Sequence, residues 1–217
     1  MIFTGYVKQK WAKFDWHPKL YEKWKTMPPL REYLGLESTS RMIFGAGAGY
    51  TAWGHADRLM FEFVLARHRF DQIIEFGTWT GMSSLYFGMA AAMRRIPFWT
   101  CDHKDLRPPE VKKVWLWNMT FAKLDLLKTV SEEVVSRVSQ ENVLLIVDNG
   151  KKEKEAMVYG KHMAKGSVMI VHDWVTEVDP SLADRLAEDG YDPLYFEFAE
   201  YLASHVRVFI RSRVPWE

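Results

Sequence analysis

The chain has 217 residues, 48% of them hydrophobic and 26% charged, which suits one domain with a substantial core and excludes a disordered chain. With 29 basic and 28 acidic side chains the net charge is +1, so nothing in the charge favours DNA, long RNA or an anionic membrane surface as a partner. The single cysteine, Cys101, allows neither an internal disulfide nor a cysteine-based zinc site and fits a reducing, cytoplasmic setting.

No apolar run is long enough to span a bilayer. Met1–Trp16, with Lys8, Lys10, Lys13 and Asp15 among its aromatics, does not read as a signal peptide. Trp11, Phe14, Tyr21 and Trp24 recur at helix-like spacing before Pro28-Pro29. Residues 1–54 are therefore expected to form a helical and loop extension covering the active site of a domain at 55–217. Aromatics exposed there would suit a homodimer. Gly45-Ala46-Gly47-Ala48-Gly49 is too flexible for an element interior and reads as a connector or a mobile lid.

A helix is expected over Asp57–Arg69, with Leu59, Phe63 and Ala66 on one face. Apolar runs then recur at Gln72–Phe76, Phe98–Cys101, Met119–Ala122, Val143–Val147 and Val168–Val171. The helical stretches Met82–Arg94, Pro109–Trp117, Ser131–Val138 and Lys152–Ala164 separate them. This alternation predicts a Rossmann-like three-layer α/β/α sandwich with a mostly parallel sheet. After a helix at Asp179–Glu188, strands are expected at Leu194–Phe198 and Val206–Ile210. The seven residues between them are too few for a helical crossover, so the seven-stranded sheet should end in an antiparallel hairpin.

The first strand ends Glu75-Phe76-Gly77-Thr78-Trp79-Thr80-Gly81 and runs directly into a helix. A glycine turn of this kind lets a ligand approach the backbone. The G-x-x-x-G spacing is not the pyrophosphate cradle of dinucleotide enzymes. Glu75 would repel a phosphate and suit a ligand carrying an amine or sulfonium charge. Asp102 closes the second strand, 21 positions after Gly81. This set resembles the first motif of class I S-adenosylmethionine-dependent methyltransferases. The resemblance implies that Glu75, Gly77, Thr78 and Gly81 line the donor, Ser83 (with Ser84) holds its carboxylate, and Asp102 grips its ribose. It also implies that Asp125 approaches the adenine, although a loop residue or helix cap would explain Asp125 equally well.

Strand four ends Asp148-Asn149-Gly150-Lys151 and strand five ends His172-Asp173-Trp174. The carboxyl ends of neighbouring parallel strands converge on one crevice. Asp148 and Asp173 would face the same space, and a divalent cation is a common remedy for their repulsion, Mg²⁺ by ligand type or else Mn²⁺. The arrangement resembles the metal-dependent O-methyltransferases of the catechol and caffeoyl-CoA type, where a lysine at the position of Lys151 acts as general base. Where those carry Asp-Asn, this chain has His172-Asp173. That departure places it between them and the cephalosporin-hydroxylase-like branch. His172 reads as a third ligand or as a buried, hydrogen-bonded ring, since strand alternation would put it and Asp173 on opposite faces. Lys151 also opens the run Lys151-Lys152-Glu153-Lys154-Glu155, which on local grounds is a solvated helix face.

The resulting expectation is methyl transfer to a hydroxyl of a small molecule, with Asp148 and Lys151 at the chemistry and Trp79 and Trp174 walling the acceptor. A donor-binding protein without turnover and a metal-independent methyltransferase of another acceptor are the alternatives. An NAD-dependent oxidoreductase is disfavoured by the glycine spacing. A nucleic-acid N-methyltransferase is disfavoured by the lack of proline after Asp148.

Overall fold

Four strands, β1 (Gln72–Phe76), β2 (Phe98–Asp102), β4 (Val143–Val147) and β5 (Val168–Val171), are buried along their whole length. Strands covered by helices on both faces must be so. The computed structural model describes residues 55–213; the expected extension at 1–54 and its glycine-rich stretch lie outside the described residues. With β3 (Met119–Lys123), β6 (Tyr191–Leu194) and β7 (Arg207–Arg211) the strands form one sheet of order β3-β2-β1-β4-β5-β7-β6. The first five are mutually parallel, and β7 runs antiparallel to both β5 and β6. The Rossmann-like sheet with an antiparallel ending is therefore present as expected.

The strand order reverses between β1 and β4. Right-handed crossovers consequently put α2 (Met82–Arg94) on one face and α4 (Glu132–Val138) and α5 (Lys152–Gly160) on the other. The helix α1 (His55–Arg67) joins the α2 face, with Phe61 edge-on to Phe87 and Phe63 against Tyr195 and Phe198. That reversal is where ligands bind in sheets of this kind. Among the described residues no helix is long and apolar enough to cross a membrane.

Near the end of the chain the structure departs from the sequence expectation. The penultimate strand is Tyr191–Leu194, and the aromatic run read as a strand forms the short helix α7 (Phe196–Tyr201). The turn between them is Tyr195, at φ 62°. Pro193 argues against a strand in a sequence reading, but β6 is the sheet's edge, where a missing N–H costs no ladder bond. Some helices are also shorter than expected. The short α3 covers Pro109–Lys113 and α6 covers Leu182–Glu188. Beyond Gly160, the N–H of His162 and of Met163 each reach back three residues, to Tyr159 and Gly160, so α5 closes in tighter turns.

Candidate active site

The turn after β1 is built on glycine. Gly77 sits at φ 100°, and a Cβ there would lie 2.3 Å from the Asp148 carbonyl oxygen. Only glycine lets the ends of β1 and β4 approach this closely. Gly81, at φ 81°, is the N-cap of α2. Between them the Trp79 N–H donates to Asp102 Oδ2 at 2.8 Å, while Asp102 Oδ1 lies 2.7 Å from His103 Nδ1. The carboxylate ending β2 is thereby fixed beside the turn, with lone pairs to spare. Thr78 Oγ1 bonds Thr100 Oγ1 at 2.6 Å.

Glu75 is fully buried, and it faces side chains of β2 and α2 instead of open space. Ser84 Oγ and Thr100 Oγ1 both donate to its Oε2. Burial raises its pKa to about 7, against the lowering effect of hydrogen bonds from Ser83, Ser84 and Thr100. Both serines of the Ser83-Ser84 pair are thus engaged with Glu75.

A cavity of about 560 Å³ opens along the carboxyl ends of β2, β3 and β4, lined by His103, Asp125, Leu126, Asn149, Gly150 and Glu155 among others. Asp125 is exposed and accepts the N–H groups of Leu127 and Lys128 at 3.2 Å, so it caps a turn at the cavity rim. Glu155 is 2% exposed and accepts from Asn149 Nδ2 at 2.9 Å, and burial raises its pKa to about 7. Lys151 is exposed on the same rim.

The second cluster joins β4, β5, α5 and α1. His172 Nδ1 lies 3.0 Å from Asp148 Oδ1 and 3.3 Å from Asp173 Oδ1, and its Nε2 lies 3.6 Å from Asp57 Oδ2. Strand alternation does not separate His172 from Asp173, because β5 ends at Val171 and Asp173 turns to φ 55°. Burial alone would lower the His172 pKa. The bonds to Asp148, Asp173 and Asp57 overturn that and raise it to about 11. Asp173 is held well below the usual carboxylate range by His172 and, against its burial, by Lys152.

Lys152 is the side chain that sequence reasoning missed. Lys152, Glu155, Ala156 and Tyr159 are all buried, at the i, i+3, i+4, i+7 spacing of one helix face. That periodicity was the available signal, and the charged run hid it. The Lys152 Nζ lies 2.9 Å from Asp173 Oδ2, 2.5 Å from Glu177 Oε2 and 3.7 Å from Asp148 Oδ1. Burial opposes its charge, but these carboxylates raise its pKa above the ordinary lysine value. Trp174 is likewise no pocket wall: it is 4% exposed and packs on Phe196 and Phe209. Trp79 is exposed at the glycine turn.

Asp148, His172 and Asp173 each offer a ligand atom within 4.8 Å of the others, so their spacing alone would admit an ion. Their chemistry does not. A metal ligand needs a neutral ring, whereas the carboxylates of Asp148, Asp173 and Asp57 favour the protonated form of His172. An ion bound to Asp173 Oδ2 at about 2.1 Å would also lie within roughly 5 Å of the Lys152 ammonium. At an effective dielectric of about 20 that is a repulsion of roughly 7 kcal/mol, so the ion and the ammonium compete for the same carboxylates. The residues present do not fit a divalent metal while Lys152 is in place.

Among solved structures, the chain is similar to a provisionally assigned caffeoyl-CoA O-methyltransferase from Staphylococcus aureus. Identity is 12%, over 84% of this chain and 96% of that one, with a TM-score of 0.56. A provisionally assigned O-methyltransferase from Klebsiella pneumoniae matches at 12% identity, over 95% and 100%, with a TM-score of 0.51. The fold is that of the class I methyltransferases. A third structure with this methyltransferase fold, cmcI with SAH, matches at 14% identity over 86% and 93%, with a TM-score of 0.51. No protein-family model and no curated protein matches the sequence.

Proposed function

We propose that this chain binds S-adenosylmethionine along the carboxyl ends of β1, β2 and β3 and methylates a hydroxyl oxygen of a small molecule held beside β4 and β5. The observation that carries this reading is the coupling of the glycine turn to Asp102: the Trp79 N–H holds that carboxylate at the end of β2, and the next residue, His103, lines a cavity of about 560 Å³. The relatives in fold support it, since two are named as provisionally assigned O-methyltransferases and the name of a third includes SAH.

When bound, S-adenosylmethionine supplies a methyl group made electrophilic by its sulfonium. The chain's own residues must then place an acceptor in line and take its proton. In this reading Asp102 accepts from the ribose hydroxyls and Gly77, Thr78 and Gly81 give the turn its close approach. Ser83 and Glu75 order the turn from beneath, and Asp125 meets the base at the rim. Asp148, with a side chain 19% exposed, accepts the acceptor's proton, and Lys151 on the rim attracts the acceptor. Alignment of this kind contributes roughly 7–11 kcal/mol in favourable cases. No step is assigned to Mg²⁺ or Mn²⁺.

Isothermal titration calorimetry with S-adenosylmethionine and its demethylated product tests the binding half. Heat and a thermal shift are expected with both and should be weakened by Asp102→Ala. No response to either ligand would refute the reading. Formation of the demethylated product with a panel of catechols, flavonoids and sugars tests turnover. Binding without any turnover would leave a donor-binding protein.

A further inference from the structure

Two carboxylates facing one another argue for a cation between them, and this chain carries one of its own. The ammonium of Lys152, a residue 6% exposed, reaches from the first turn of α5 to Asp173, Glu177 and Asp148 at 2.9, 2.5 and 3.7 Å. An ammonium has three N–H donors, and three carboxylates surround this one. His172 closes the other side, against Asp148, Asp173 and Asp57. Glu177 separates two descriptions of the cluster. Its side chain is 58% exposed yet turns back onto the buried ammonium, as expected where the lysine is the centre. Glu177 is not among the residues spaced to share an ion.

We propose that Lys152 is a built-in cation that takes the place of a divalent ion, holding Asp148 and Asp173 together at the ends of β4 and β5 and keeping metals out. Lys152 is a positioning residue: it fixes where Asp148 sits relative to Asp173, both carboxylates being partly exposed. That catalytic consequence rests on the methyl-transfer reading, whereas exclusion of the ion does not, so the two fail separately.

The test is Mn²⁺ binding to the full-length protein without donor, followed by electron paramagnetic resonance of the free ion. The wild type is expected to take up no Mn²⁺. Lys152→Ala is expected to gain one equivalent, lost again when Asp173→Asn is added. Uptake by the wild type that Asp173→Asn abolishes would overturn the proposal, while uptake that survives Asp173→Asn lies elsewhere and upholds it. A folded Lys152→Ala protein that gains nothing would also overturn it. Should that variant not fold, the wild-type measurement still decides. Where methyl transfer is measurable, its rate in the wild type is expected to be unchanged by EDTA.

Discussion

Glu75 carries a carboxyl where water does not reach, and Ser84 and Thr100 both donate to the same oxygen, Oε2. Burial raises its pKa from 4.5 to about 7, so at pH 8 the folded protein holds a charge that the unfolded chain would solvate freely. Removing that difference is worth up to about 3 kcal/mol. Glu75→Gln keeps an oxygen for both hydroxyls and removes the charge. It is expected to raise the urea midpoint at pH 8 and change it little at pH 4.5; a lower midpoint at pH 8 would contradict this account. The sequence placed Glu75 at the end of the first strand, but its inward orientation depends on Thr100, contributed by the neighbouring strand. Pairings between strands are not written in local spacing. Asp57 is a similar case. It accepts from Ser204 Oγ and the His205 N–H at 2.7 and 2.8 Å and lies 3.6 Å from His172 Nε2, contacts about 115 to 148 positions away in the chain. Asp57→Ala removes one counter-charge of a buried ring and is expected to cost about 3 kcal/mol in chemical denaturation. A loss under about 1 kcal/mol would mean that Asp148 and Asp173 alone suffice.

The elements were legible wherever one residue pattern had one physical meaning. Five apolar runs became five parallel strands, because strands buried on both faces need continuous hydrophobic sequence. Only β3, at the edge, exposes part of its length. The ending was misread because Leu194–Phe198 is aromatic enough for a strand, while the actual strand contains Pro193. The α5 helix was placed correctly but its buried face was not, because Lys152 and Glu155 are charged residues at core positions. The two glycines of the site differ in a way the sequence does not express. A Cβ on Gly77 would meet the Asp148 carbonyl at 2.3 Å and demand φ 100°, whereas a Cβ on Gly150 meets nothing within 4 Å. Gly77→Ala is therefore expected to cost at least about 3 kcal/mol and to spread β1 from β4. Gly150→Ala should stay within about 0.5 kcal/mol of the wild type. Urea denaturation of the pair checks this, and equal effects would mean that the turn tolerates a side chain.

For the whole molecule, the buried charges set a stability profile across pH. Glu75 and Glu155 both have folded pKa values raised to about 7 from 4.5. Between those values the folded protein holds protons that the unfolded chain has released, so stability falls as pH rises through that window and levels off above it. His172 adds a second decline. Its folded pKa of about 11 lies above the ordinary 6.5, so its contribution is complete below pH 6.5 and is lost as pH climbs toward 11. Asp57 and Asp173 act in the other direction. Their folded pKa values lie below 3.8, so they stabilise above that value and the benefit disappears as acid protonates them. The same contacts with His172 underlie both effects, so the acid and alkaline limbs share one cluster. The midpoint in urea is therefore expected to peak near pH 4 to 5, drop steeply below it and decline gradually toward pH 10. The Glu75→Gln, Glu155→Gln double variant should flatten the decline between pH 5 and 7 and leave the alkaline limb, which belongs to His172, in place. A wild-type midpoint that rises from pH 5 to 8 would show that these carboxyls are not the buried, protonated groups described above.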